Sequence, residues 1–582
     1  MAPCMSLINV KTELINALKN ECFFKVVIEL YLDERKTEKY LIEALHQLNS
    51  ESLLNINELF KAIGSNNQHD FWIIFDVYRA LLPNLEASVL DVMECILLLK
   101  DKGGENLGIG NLITGFTKFC EKDSERCKEA FTFSLHEKEK FIEFMSASLI
   151  SGSLSDVEWS FEQLKTLIIM DSADVRKQAY FAISRIQFNL NIKAKTVISL
   201  LEKKANEETD DLAISSLFHA LINLGEKDDT LWIRIAKSLD LILKEPKSEV
   251  LYAVSNVAGF DQKYVPNSIK LKFISCLKNV TSKHVAALSN IGRLLRNLLN
   301  RNEYVSIEDL LECLINKGIC VTEFGYFNSE LFKGNKSYLN HLITKWFLSG
   351  SSNLCCAVHD LLNDVSIKDI EIKVDVEQIN KLNETPIFLA RKAVGWLFTR
   401  PIIAASFILS IIDTVSTEKR EELNQLLFEP LLISYSGELR RYLERIESNS
   451  SLAIKNSVQH VVKQLDDYFN GMEGVWGINE ILCSQQNREQ YWEHSQQLME
   501  EAYEAAQPSA LSDLFTQQTI LYGNSSAVYI HDGSNQLKRS EMKMTKHSYS
   551  TELPRLNTLD PESLDYMLRF FRMEAFKHEV NS

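Results

Sequence analysis

Backbone breakers are scarce in this chain: 21 glycines and 10 prolines stand among 582 residues. Average proteins carry about 7% glycine and about 5% proline, so both fall well below the usual level. Sandwiches, propellers and antiparallel barrels need frequent turns, and turns draw on these two residues. A chain this poor in them is directed towards helix. Apolar residues recur at helical spacing nearly throughout. In the first 150 residues the spacing predicts helices over 7–18, 23–32, 38–48, 52–63, 70–82, 87–100, 109–119, 124–134 and 141–150. Most breaks between them are a few polar residues; the longest is 101–107, with Gly103 and Gly104. Helices joined so closely fold back on one another as hairpins.

The middle of the chain repeats itself. Segments opening at Asp174, Asp211, Glu249 and His284 overlay on the aliphatic anchors Val175, Leu212, Val250 and Val285, at spacings of 37, 38 and 35 residues. Four residues after each anchor stands a compact side chain: Ala179, Ser216, Val254 or Ser289. Compact residues let a neighbouring helix come close. A second amphipathic helix follows each anchor helix, over 194–204, 231–243, 269–277 and 307–316. Periods of 20–50 residues are the mark of stacked helical arrays, because one hairpin cannot cover its own apolar face.

The run Asp174-Val-Arg-Lys-Gln-Ala resembles the opening of a HEAT first helix: an acid, an aliphatic, a base, then alanine. Over residues 154–318 the chain thus resembles HEAT/armadillo-like helical repeats. The other three copies lack the arginine. The resemblance implies an α-solenoid-like stack of helical hairpins that binds other macromolecules on its surface.

Beyond 320 the period fades. The glycine- and aromatic-containing stretch 320–336 reads as a loop or boundary. Helices resume over 337–348, 354–362, 386–398, 401–415, 418–435, 437–448, 452–469 and 485–506. Residues 364–376 alternate apolar and polar and read as a strand or an extended connection. The tail changes composition: 527–533 ends in Asp532-Gly533, a hairpin signal, and 537–544 and 547–553 read as further strands. Asp560, Pro561 and Glu562 then open a helix over 562–577, as N-cap, first-turn proline and dipole-matched acid. The expected fold class is all-α, a solenoid-like stack with a small mixed α/β C-terminal module. The expected domains are 1–150 N-terminal helical, 151–318 HEAT-like repeats, 319–515 further helices and 516–582 the mixed module, which would cap the last helical layer.

Sixty-three Lys and Arg face 79 Asp and Glu, a net charge of −16. Non-specific nucleic-acid binding rests on neutralising phosphates, so this balance disfavours it. The eleven cysteines are odd in number, scattered, and form no C-x-x-C; reduced thiols in a cytoplasmic protein are the simplest reading. The N-terminal residues do not read as a secretory signal. The apolar run 401–412 is shorter than the ~20 residues a membrane-crossing helix needs, so it reads as a buried helix.

No strong catalytic motif is present. Gly334-Asn335-Lys336-Ser337 lacks the glycine before lysine and the preceding strand of a phosphate loop. Cys355, Cys356 and His359 share a helical face, but form half a zinc site at most, and buried cysteine beside a hydrogen-bonded histidine is the more ordinary arrangement. His531 and His547 lack the partners of an acid–base constellation. Lys538, Arg539, Lys543, Lys546 and His547 are the best basic cluster for an anion or nucleic acid; across 531–582, eight Lys and Arg are matched by eight Asp and Glu, the pattern of a charge-mixed surface. No catalytic residue, metal or cofactor is expected. The expected role is a non-catalytic intracellular interaction scaffold or adaptor for a protein partner. Two rivals remain: an accessory subunit of a defence or repair complex that contacts nucleic acid, and an enzyme with its site in the C-terminal module.

Overall fold

The computed structural model describes residues 6–20, 22–34, 40–63, 71–103, 109–188, 193–260, 263–363, 370–379 and 385–475. Beyond these it describes 478, 484–487, 489–490, 492–493, 496–497, 515–520, 525–531, 537–543, 552 and 554–575. These residues are overwhelmingly helical. Contacts divide the chain into two units, Met1–Leu314 and Ile315–Ser582.

In the first unit, helices of one layer touch the next but one in sequence. Leu7–Lys19 packs on Leu41–Ser50, which packs on Phe71–Leu81, which packs on Ile109–Glu121. The pattern continues through the repeats, whose helices are α1 (Ala173–Arg185), α2 (Lys193–Glu207), α3 (Asp211–Lys227), α4 (Trp232–Ile242), α5 (Ser248–Gly259), α6 (Asn267–Leu277), α7 (Val285–Asn300) and α8 (Tyr304–Asn316). Helix α1 packs on α3, α3 on α5 and α5 on α7, while α2 packs on α4. Gly259 permits one such approach: a Cβ there would lie 2.7 Å from the Asn290 carbonyl oxygen of α7.

Polar clips close the joints. The Lys227 ammonium donates to the carbonyls of Ser184 and Ile186 at 3.1 and 2.8 Å, neutralising the C-terminal end of α1. The Asp211 carboxylate accepts from the Glu249 amide at 3.1 Å, and the Lys247 ammonium donates to the Thr209 carbonyl at 2.7 Å. Arg176, from the run resembling a HEAT helix, grips Glu208 at 2.6 and 2.7 Å and the carbonyls of Met170 and Asp171 at 2.9 and 2.6 Å.

The overlay used in the sequence needs a correction of register. Val175 and Val250 are buried, but Leu212 and Val285 are 47% and 67% exposed. The buried counterparts are Ala213 and Ala287, which gives repeats of 38, 37 and 37 residues. In this register the residues four, five and seven places on are buried in all four helices.

In the second unit, α9 (Lys336–Ser349) and α11 (Pro401–Ile412) flank an extended segment, with α10 (Thr385–Leu397) beside them. Eleven of the twelve residues of α11 are buried, and among the described residues no helix is long and apolar enough to cross a membrane. The segment 370–375 is extended, not helical, and its amides are clipped alternately. Ile372 and Val374 donate to the Ser406 and Ser410 hydroxyls of α11 at 3.1 and 2.8 Å; Lys373 and Asp375 donate to Asn340 Oδ1 and Thr344 Oγ1 of α9 at 3.0 and 2.9 Å. Residues 364–369 of the alternating stretch lie outside the described residues.

Two further readings are corrected. The stretch 320–336 is not a loop: it holds a short turn, Val321–Phe324, and the helix Gly325–Gly334. The expected helix 418–435 is interrupted, because Glu429 adopts an extended conformation ahead of Pro430, as residues before proline do. Thr417–Leu426 is its regular part, and Glu438–Glu447 and Leu452–Val475 follow.

Three antiparallel strands, β1 (Phe515–Ile520), β2 (Ser525–His531) and β3 (Leu537–Lys543), pair in the order β1-β2-β3. Of the expected strand 547–553 only residue 552 is described, and most of the expected helix 485–506 also lies outside the described residues. The last helix, α12 (Pro561–Met573), opens as expected, with the Asp560 carboxylate accepting from the Ser563 amide at 3.1 Å. It packs on α10, where Gly395 gives it room and the buried Lys392 ammonium donates to the Arg572 carbonyl at 2.7 Å.

Candidate interaction surface

A helix in a packed layer leaves a narrow row of side chains uncovered, at spacings of four residues. Counting from the buried anchors Val175, Ala213, Val250 and Ala287, the second, sixth and tenth positions form such rows. On α1 these are Lys177, Phe181 and Arg185; on α3, Ser215, His219 and Asn223. On α5 they are Tyr252, Asn256 and, just past its end, Phe260; on α7, Ser289, Arg293 and Asn297. None of the twelve is buried. The rings are well uncovered for aromatic residues: Phe181 is 42%, Tyr252 44% and Phe260 58% exposed.

The rows meet across neighbouring helices. Phe181, Ser184 and Arg185 from α1 join Ser216, His219 and Asn223 from α3 around one cavity of about 420 Å³. The Arg293 guanidinium of α7 lies 5.0 Å from the Phe260 ring centre, and the Asn297 amide donates to the Gly259 carbonyl at 3.0 Å, both bridging to the end of α5. Within α1, the Arg185 guanidinium covers the Phe181 ring at 4.8 Å. Burial lowers the His219 pKa, which favours the neutral imidazole. The surface therefore offers rings, amides and fixed cations.

The residues singled out from the sequence fall elsewhere. Lys538, Arg539 and Lys543 lie on β3, opposite Ile530, Tyr529 and Ser525. Lys546 and His547 lie outside the described residues; His531 ends β2. Cys355 is buried, its thiol donates towards the Trp346 carbonyl, and burial pushes its pKa up to about 12. His359 turns to Asp360 at 3.1 Å. Among the described residues no group of three or more His, Cys, Asp or Glu is arranged to hold a metal ion. Gly334-Asn335-Lys336-Ser337 joins two helices.

The rows were not identified in the sequence. An overlay anchored on small buried residues would have found them. The chain matches no protein-family model and no curated protein.

Proposed function

We propose that this chain is a non-catalytic interaction scaffold or adaptor, working in the cytoplasm, that binds a protein partner through a helical-repeat surface. In this reading the hairpins of the first unit stack in solenoid-like fashion, as in HEAT or armadillo-like proteins, and residues 516–582 form a small mixed module. The observation that carries it is the coincidence of three rows, in one register, on four successive helices of one layer. Such a surface can take an elongated ligand, and it combines aromatic rings and arginines, the residue types that dominate protein interfaces.

The test replaces Phe181, His219, Asn256 and Arg293 together by alanine and compares proteins co-purified from cells with each form. The control is Ile233→Ala, at a side chain of α4 that is 77% exposed. A partner held by the original and control chains but lost from the fourfold variant supports the reading. Identical sets from all three overturn it.

A further inference from the structure

We propose that Cys320 and Cys356 form a reversible modification site: a hydroperoxide oxidises the pair to a disulfide, and a small thiol restores it. The site lies in the second unit and does not depend on the row surface.

Cys320 stands just ahead of the turn Val321–Phe324, and Cys356 lies within the helix Ser352–Leu362. The turn packs on that helix. Cys356 and Asp360 are four residues apart on it and so share a face. One carboxylate oxygen, Asp360 Oδ2, accepts from both thiols, from Cys320 at 3.3 Å and from Cys356 at 3.8 Å. His359 Nδ1 lies 3.1 Å from the other oxygen, Oδ1, and the Thr322 hydroxyl donates to the Cys320 sulfur at 3.0 Å. Two sulfurs held on one oxygen at these distances are at most about 7 Å apart. Rotation about χ1 moves each sulfur by up to about 3 Å, the scale of the gap that remains to a disulfide bond.

The two thiols differ in access. Cys320 is exposed and Cys356 is half-buried. Burial first, and the Asp360 carboxylate second, hold the Cys356 thiol above its ordinary pKa. An oxidant in solution therefore meets Cys320 first, and Cys356 resolves the product. The Cys320 sulfur attacks one peroxide oxygen, the O–O bond breaks, and the thiol proton leaves with the other oxygen as water. The sulfenic acid left on Cys320 is attacked by the Cys356 sulfur; the S–O bond breaks, and its hydroxyl leaves with the Cys356 proton as a second water. Two thiols have lost two electrons and the peroxide has gained them. Cys355, next in sequence, is no rival: it is buried, and its thiol donates to the Trp346 carbonyl at 3.5 Å. The new bond closes residues 320–356 into a ring that contains α9, whose Asn340 and Thr344 hold the segment 370–375.

The test treats the full, freshly reduced chain with a slight excess of hydrogen peroxide near pH 7.5, blocks the remaining thiols and maps the peptides by mass spectrometry without reduction. The Cys320–Cys356 link, within one chain, is expected to be at least about tenfold more abundant than any other cysteine pairing, and reduced glutathione should return both thiols. The same treatment in urea should erase the preference. In Cys356→Ser the Cys320 sulfenic acid should persist long enough for dimedone to capture it; in Cys320→Ser, Cys356 should remain a thiol. Circular dichroism matching the original chain establishes that both variants fold.

A link from Cys320 to another cysteine, a link only between two chains, a preference that survives urea, or peroxide treatment that leaves the two cysteines unjoined overturns the proposal. A link that glutathione does not open overturns its reversibility.

Discussion

Arg176 and Glu208 form a two-pronged ion pair across a repeat junction, at 2.6 and 2.7 Å, with the Glu208 side chain only 1% exposed. Burial by itself would raise the Glu208 pKa. The Arg176 hydrogen bonds and the amides of Asp210 and Thr209 outweigh burial and hold it below the usual value. Removing one partner of a buried pair leaves the other charge unmatched, at about 3–5 kcal/mol. Arg176→Ala is therefore expected to lower the unfolding free energy of the first unit by about 3 kcal/mol, read by urea denaturation.

The same pair sets an acid limit. A carboxylate with a depressed folded pKa contributes stability above its unfolded value of about 4.3, and loses it as pH falls through the folded value. Between neutral pH and about 4.3 the original chain should keep this contribution, and below that it should decline. In Arg176→Ala the decline should be shallower. Equal acid slopes for both chains, in thermal melts across pH, would remove Glu208 as a source of the limit.

Gly259→Ala tests the close approach of α5 and α7. The added methyl meets the Asn290 backbone carbonyl at 2.7 Å, so a helix has to move. Overpacking of this kind costs about 1–3 kcal/mol, expected as a lower melting temperature. Gly110→Ala, where a Cβ meets nothing within 4 Å, serves as the control and should leave the melt unchanged or slightly raised.

Thiol reactivity should divide by burial. Cys95, Cys276 and Cys355 are buried, and burial pushes each pKa up to about 12. Cys320 is exposed. The thiolate is the reactive form. Brief iodoacetamide treatment near pH 7.5, followed by peptide mass spectrometry, should label Cys320 and leave those three unlabelled until urea is added.

Helix was legible in the sequence because apolar spacing and the shortage of breakers agree. Register was not. At 212–213 and 285–287 the reading favoured the larger aliphatics, Leu212 and Val285, yet tight packing takes Ala213 and Ala287 inward and leaves the larger residues outside. Hydrophobicity alone does not separate adjacent apolar residues when the small one fits the neighbouring helix. The helix Gly325–Gly334 was hidden because glycines stand at both its ends, where they read as a loop. β1 was missed because Phe515-Thr-Gln-Gln-Thr-Ile520 has apolar residues only at its two ends and so shows no alternation. The row residues are individually ordinary, and only the corrected register aligns them.

Photo-crosslinking tests most directly whether these rows form one binding surface. A benzoylphenylalanine is placed singly at position 181, 219, 256 or 293, and at 233 for comparison. The same partner is expected to crosslink from all four row positions and not from 233. Crosslinks absent from the rows, or equally strong from 233, would contradict the account.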